Sequence, residues 1–274
     1  MALGPLLRVA RNVTDLKRAC AFYQEALGFL PLGVGWEDAR LAEALGVSKV
    51  FCARLRLGEQ QLELTECRPA GAPYPLGAQS DDRCFQHIAI VTADIERAAT
   101  QAMCGGGTVI SSHGPQLLPV ESGGVWAWKF RDPDGHPLEF LQFQPGSAWS
   151  GEGRNLGYDH SAIGVSDLRR SIEFYNALGL ELGHRHVNHG AEQDRLDGLV
   201  PSEVDVVALM PPDAPPHLEL LDYNGRGGRE AVEVRANDIA ADRLVFGNGP
   251  GELALRQDPD GHFLLLDGRK RSLF

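Results

Sequence analysis

The sequence predicts an α+β fold assembled from four copies of one unit: a strand, a helix and about three further strands. Three observations predict it. Four segments run from an apolar strand into an Asp that opens a helix: RVARNVTD (8–15), HIAIVTAD (87–94), HSAIGVSD (160–167) and AVEVRAND (231–238). The helices after Asp15 and Asp167 share an order, with Phe22-Tyr23 matching Phe174-Tyr175 and Gly28 matching Gly179. DPDGH occurs at 132–136 and again at 258–262, each time before an apolar strand. Self-similarity of this kind identifies a repeat architecture before any single motif is weighed.

Each element has a local reason. In the first unit Leu16, Ala19, Phe22, Tyr23 and Leu27 fall near helical spacing, and Gly28 supplies the stop. The second unit has DIERAATQAMC, ended by Gly105 to Gly107. Thr, Ser and Asp side chains at the helix starts accept bonds from otherwise unpaired N–H groups, so Asp15, Asp94 and Asp167 are expected caps rather than catalysts. Alternating runs follow each helix: KVFCARLRL and QQLELTEC, then TVISS, VWAWKF and PLEFLQF, then ELGHRHV, VDVVALM and HLELLDY. The fourth unit is short, because only 20 residues separate Asp238 from Asp258 against 38 between Asp94 and Asp132. The expected organisation is an N-terminal pair at 1–145 (1–75 and 76–145) and a C-terminal pair at 155–274 (155–224 and a truncated 225–274). QPGSAWSGEGRNLG (144–157) is the expected linker between halves.

Composition narrows the function. A formal charge of -11 argues against nucleic acid and against an anionic membrane surface. No apolar run approaches the roughly 20 residues needed to span a bilayer. The N-terminal stretch lacks the basic segment, apolar core and cleavage site of a secretion signal. Five cysteines without CxxC spacing suit a reduced, cytoplasmic protein with mostly buried thiols. A small-molecule substrate is the partner left open.

The candidate chemistry lies at two strand positions of each unit. Seven residues before each opening Asp stand Arg8, His87, His160 and Ala231. In the last strands, Glu139 follows Asp132 by seven residues, and Leu265 follows Asp258 by the same interval. Glu63 and Glu219 sit between leucines in the corresponding LEL runs. A strand carboxylate flanked by leucines either faces water or points inward and needs a partner. Three at corresponding positions favour an inward-facing set. His136 and His262 follow the DPDG turn and are expected to be structural. His184 and His186 share a strand face and could bind metal, but no third ligand is evident beside them, and His113 and His217 carry no argument. Trp126, Trp128, Phe130 and Trp149 are expected in core and linker packing, with a ligand cleft as the alternative.

These openings, the FY…LG helices and DPDGHPLEFLQF resemble the vicinal oxygen chelate superfamily, which holds glyoxalase I, methylmalonyl-CoA epimerase, extradiol dioxygenases and the bleomycin-resistance proteins. The resemblance implies four βαβββ modules pairing into two cupped, partly open β-barrels with flanking helices. It also implies one metal ion bound by first-strand and last-strand positions of two paired modules. Pairing in sequence order gives one site of Arg8, Glu63, His87 and Glu139, and half a site from His160 and Glu219 opposite Ala231 and Leu265. Exchanged pairing brings His87, Glu139, His160 and Glu219 together and leaves the first and fourth modules without a ligand set. The losses segregate, which favours the exchange.

Two imidazoles and two carboxylates suit one Ni, Zn, Mn, Co or Fe ion. The favoured expectation is a metal-dependent glyoxalase- or epimerase-like enzyme that chelates two substrate oxygens. Glu139 is the first choice for its base and Glu219 the second. An extradiol dioxygenase and a metal-free binding protein of the drug-sequestering kind are the alternatives. The chain is expected to be a monomer or homodimer.

Overall fold

The structure is a computed structural model of the 274-residue chain, and it describes residues 4–149, 153–223, 233–247 and 253–268. The first module comprises β1 (Leu6–Asn12), α1 (Leu16–Ala21, continued as a wider turn to Ala26), β2 (Leu30–Glu37), α2 (Ala39–Ala44), β3 (Lys49–Leu57) and β4 (Gln60–Arg68). The second comprises β5 (Gln86–Thr92), α3 (Ile95–Cys104), β6 (Thr108–Val109), β7 (Gln116–Leu117), β8 (Trp126–Arg131) and β9 (Pro137–Gln142). The third has β10 (Asn155–Gly164), α4 (Leu168–Ala177), β11 (Glu181–His189), α5 (Ala191–Asp197), β12 (Glu203–Met210) and β13 (His217–Asp222). The fourth has β14 (Arg243–Gly247), β15 (Leu253–Gln257) and β16 (Phe263–Asp267). Asp15, Asp94 and Asp167 cap their helices by accepting from the backbone N–H three residues on. Among the described residues no helix is long and apolar enough to cross a membrane.

The fold is mixed α+β with two sheets, each drawn from both halves of the chain. One runs β15-β16-β14-β1-β4-β3-β2, and the other runs β11-β12-β13-β10-β5-β9-β8-β6 with β7 also on β8. At the centre of each, two opening strands pair antiparallel: β1 with β14, and β5 with β10. Neither sheet closes on itself, so each forms an open cup. Strand alternation separates two surfaces. Ile88 and Ile90 of β5 join the large core with the helices, whereas Ala89 between them belongs to a small cluster inside the cup.

Consecutive modules are tied together on the helix side. The Tyr23 hydroxyl donates to Asp132 Oδ2 at 2.9 Å, and Tyr175 donates to Asp258 Oδ2 at 3.0 Å. The other carboxylate oxygen of each Asp accepts two backbone N–H bonds within DPDGH. Gly135 and Gly261 there take φ of 96° and 92°, a left-handed conformation that glycine adopts without strain. His136 Nε2 donates to the Asn12 carbonyl at 2.8 Å and His262 Nε2 to that of Gly164 at 2.7 Å. The repeated FY and DPDGH motifs are therefore two halves of one latch.

The fourth module begins later than the sequence pattern suggests. Residues 233–238 form a loop and turn, and the opening strand is β14. Ala231 and the turn-rich NGRGGR (224–229) before it lie outside the described residues. The Asp238 carboxylate accepts from the N–H groups of Arg235 and Ala72 and caps no helix. Register makes the substitution clear. His160 pairs with Ala89 as Arg243 pairs with Ala10, and Ala162 pairs with His87 as Val245 pairs with Arg8. Arg243, not Ala231, holds the place of the second histidine.

The first cup is filled. Leu41, Ala42 and Leu45, on α2 and at its end, pack against Ala10, Val245 and Leu265. At its edge Arg8 reaches Glu63 Oε2 at 3.0 Å and Asp267 Oδ2 at 2.9 Å, and Arg54 reaches the same Glu63 oxygen at 2.7 Å. Arg243 donates to Asn12 Oδ1 and Thr65 Oγ1. Guanidinium groups thus provide the positive charge that balances the buried carboxylate.

Burial alone would raise the Glu63 carboxyl, but Arg8 and Arg54 outweigh it and hold the group below the usual carboxylate range. Glu63→Gln is expected to cost about 3 kcal/mol at neutral pH in urea unfolding, because buried guanidinium charge loses its partner. The contribution of Glu63 is complete above an unfolded carboxylate pKa of about 4.3 and is lost as pH falls through the lower folded value. The gap between wild type and variant should therefore narrow on acidification. A gap that widens would contradict the assignment.

Candidate metal centre

The second cup stays open and holds the four predicted side chains. Two strand pairs place them by a repeated rule. Ala89 pairs across the seam with His160 and along its own module with Glu139. Ala162 pairs in the same way with His87 and Glu219. Each histidine and each glutamate therefore flanks an alanine on the cup face, and the small methyl leaves the space between them free. The His87 and His160 rings stand 5.6 Å apart, centre to centre.

The donor atoms converge. Glu139 Oε2 lies 3.0 Å from His87 Nε2 and 3.8 Å from His160 Nε2, and Glu219 Oε2 lies 3.4 Å from His160 Nε2. His87, Glu139 and His160 are buried, and one donor atom from each falls within 4.8 Å of the others. The angles do not make hydrogen bonds: both ring nitrogens of His87 and Nε2 of His160 are buried without a hydrogen-bond partner. An unpaired buried polar atom is costly unless something else satisfies it. Two donors each about 2.1 Å from one ion stand roughly 3 to 4 Å apart, so these spacings fit a shared cation.

Asp159 orients His160 from behind. Its Oδ2 lies 3.1 Å from His160 Nδ1, and Trp149 Nε1 donates to its Oδ1 at 3.2 Å. With Nδ1 engaged, Nε2 is the nitrogen turned to the carboxylates. A carboxylate partner on the far nitrogen commonly fixes the ring of a metal-binding histidine.

Electrostatics keep the site charged. Burial would raise Glu139, but Lys129, His87 and His160 outweigh it and hold the carboxyl below its usual range. Burial would raise Glu219 too, yet His160, His217 and His87 hold it far below that range. His87 is held below its usual range chiefly by burial, which Glu139 only partly offsets. Burial also disfavours charge on His160, but Glu219, Asp159 and Glu139 raise it to about 9.

These groups open on a cavity of about 720 Å³, with Leu118, Leu141, Val206, Leu221 and Trp149 among its walls. Mostly apolar walls with a few convergent polar groups are usual for a small-molecule pocket. Trp149, on the linker, lines the cavity, whereas Trp128 stacks on Phe130 in the core. Three residues without a role in the sequence patterns also matter here. Asp159 holds His160. His217 stands in register with His160 and places Nε2 3.4 Å from Glu219 Oε1. Lys129, in register with Glu139, pairs with Asp197 Oδ1 of α5 at 2.6 Å. The His-Leu-Glu alternation at 217–219 was the readable signal for the second of them.

Lys129 and Asp197 are both buried, and Ser202 and Gln193 donate to the second Asp197 oxygen. Lys129→Met should destabilise the protein by about 3 kcal/mol in urea unfolding, because Asp197 keeps a buried charge without its cation. Adding Asp197→Asn should recover part of the loss. Additive losses in the double variant would show that the pair is not coupled.

Residues 6–140 match the family model described as the Glyoxalase/Bleomycin resistance protein/Dioxygenase superfamily. The lactoylglutathione lyase GLX1 of Arabidopsis thaliana is 30% identical over 183 residues, which is 64% of this chain and 55% of that protein. The chain thus spans just over half the length of this curated relative. The crystal structure of glyoxalase I from Zea mays superposes with a TM-score of 0.61 at 21% identity, covering 96% of this chain and 91% of that one. At that identity the likeness concerns the fold, and it covers both cups.

Proposed function

We propose that the chain is a member of the Glyoxalase/Bleomycin resistance protein/Dioxygenase superfamily, whose model its residues 6–140 match, and that it is a divalent-metal-dependent lyase or isomerase of the glyoxalase kind. Its substrate would be a small molecule with two adjacent oxygens. The observation that carries this reading is the convergence of Glu139 Oε2 on His87 Nε2 and His160 Nε2 at 3.0 and 3.8 Å, imidazole nitrogens without hydrogen-bond partners, with Glu219 Oε2 3.4 Å from His160 Nε2 beside them. His87, Glu139, His160 and Glu219 would hold the ion, and residues 76–145 and 155–224 would form the catalytic unit. Ni, Zn, Mn, Co and Fe all suit that donor set. When bound, such an ion supplies Lewis acidity to neighbouring carbonyl and hydroxyl oxygens.

The chain's own residues supply the proton transfer. Glu139 lines the cavity and is ionised at neutral pH, so it can accept a proton from a carbon next to a carbonyl. Glu219 is the second candidate, and its three histidine neighbours make it the weaker base. Asp159 keeps His160 in one orientation, and the apolar walls exclude water from the reacting carbon. A fourth donor fits an extradiol dioxygenase less well, since such enzymes use two histidines and one carboxylate. A metal-free binding protein leaves the His87 nitrogens unexplained. Buried Cys20, Cys52 and Cys67 suit a reducing, cytoplasmic setting. Both cups are completed within one chain, which fits a monomer or a homodimer.

The test is metal-dependent formation or breakdown of lactoylglutathione by the chelated and reloaded protein. His87→Ala and His160→Ala should lose at least one bound ion together with the activity. Glu139→Gln should lower kcat by about 10²-fold or more and slow exchange of the substrate carbon-bound proton with solvent. Asp159→Asn should weaken metal affinity by about 10–100-fold. Protein that takes up no divalent ion would end the proposal.

A further inference from the structure

Beside His87, Glu139 and His160 lies a second group of donors, of which the proposed reaction uses Glu219 alone. Glu219 has two faces. Its Oε2 turns to His160, while its Oε1 lies 3.4 Å from His217 Nε2 and 4.0 Å from His184 Nε2. One donor atom each from His184, His217 and Glu219 falls within 4.8 Å of the other two. We propose that these three residues form a second divalent-cation site, with the Glu219 carboxylate bridging it to the first.

The local structure is built for this. Asp159 Oδ2 faces two imidazoles from behind, at 3.1 Å from His160 Nδ1 and 3.8 Å from His217 Nδ1. With both far nitrogens turned to one carboxylate, both Nε2 atoms turn to Glu219, one to each oxygen. The register of β10 and β13 produces this, because His160 pairs with His217. His184 comes from β11, two strands away, and stacks on His186 at 5.5 Å with the rings 11° from parallel. It is 58% exposed on its side chain, so the site opens to the cavity that all these residues line.

The spacing fits chemistry as well as position. Donors about 2.1 Å from an ion stand roughly 3 to 4 Å apart. Two-metal sites hold their ions about 3.5–4 Å apart, a separation that one carboxylate can bridge. Two imidazoles and a carboxylate select borderline cations such as Zn²⁺, Co²⁺ or Ni²⁺ over Mg²⁺ or Ca²⁺. Three protein donors leave open positions for water or a substrate oxygen. The sequence showed His184-x-His186 without a third ligand, and the fold supplies His217 and Glu219. The site shares Glu219 with the proposed catalytic ion but does not depend on the reaction assigned there.

The experiment counts Zn²⁺ and Co²⁺ bound to the chelated full-length protein by calorimetry and elemental analysis. Wild type should bind two ions per chain. His184→Gln/His217→Gln should bind one, and His87→Gln/Glu139→Gln should also bind one. His184→Gln alone, at an exposed position that does not threaten folding, should weaken the second equivalent at least tenfold. The second equivalent of Co²⁺ should broaden or quench the paramagnetic signal of the first. Saturation of wild type at one ion overturns the inference, as does a second ion that survives His184→Gln/His217→Gln. If the single ion is lost only in His87→Gln/Glu139→Gln, the catalytic centre stands and the second site falls. If it is lost only in His184→Gln/His217→Gln, the second site stands and the catalytic reading falls.

Discussion

Antiparallel pairing of β5 with β10 is the constraint from which the rest follows. Two opening strands from different modules meet in one register, and that register sets every side chain on the cup face. A slip of β5 by one residue would turn His87 into the apolar core and send Ile88 to the cavity. Because Ala89 and Ala162 occupy the crossing points, the seam itself contributes almost no volume. The polar residues that flank them can then approach one another. A larger residue at either alanine would fill the space between the flanking histidines and glutamates.

The first cup shows what happens when the same geometry carries other residues. Arg8 and Arg243 stand where the histidines do, Glu63 is retained, and Leu265 replaces the remaining carboxylate. The balancing positive charge is then covalently part of the chain. With no opening to maintain, the leucines around α2 fill the interior. In the second cup the equivalent helix α5 uses Asp197 to hold Lys129 at the wall and leaves the centre open. One scaffold therefore makes a filled core with fixed cations and, beside it, an open pocket lined by imidazoles.

Much of this was legible in the repeats. The three capped helices, the DPDG turns and the inward-facing His87, Glu139, His160 and Glu219 all stand in local patterns. The fourth module was misplaced for a physical reason. AVEVRAND carries the opening pattern, but a strand exists only where a partner pairs with it, and β1 takes RLVFG at 243–247 instead. No local feature marks that segment as an opening strand, since among the described residues no helix follows it. His217 and Asp159 were hidden for a related reason. Their roles arise from neighbours on adjacent strands or across a ring, and only the register between β10 and β13 brings them together. The latch between Tyr23 and Asp132 was likewise visible as two separate motifs and unreadable as one contact.

The exchange of modules also shapes how the chain must mature. Strand β1 finds its central neighbour in β14, more than 230 residues later. Until that segment has left the ribosome, one edge of the first sheet has its backbone groups unpaired. Pairings so distant in sequence form slowly, because loop closure precedes any reward. The second sheet is completed by consecutive modules, so the pocket-bearing half can form while the other still waits for its last strands. Synthesis order thus gives the cup with the imidazoles a head start over the cup with the arginines.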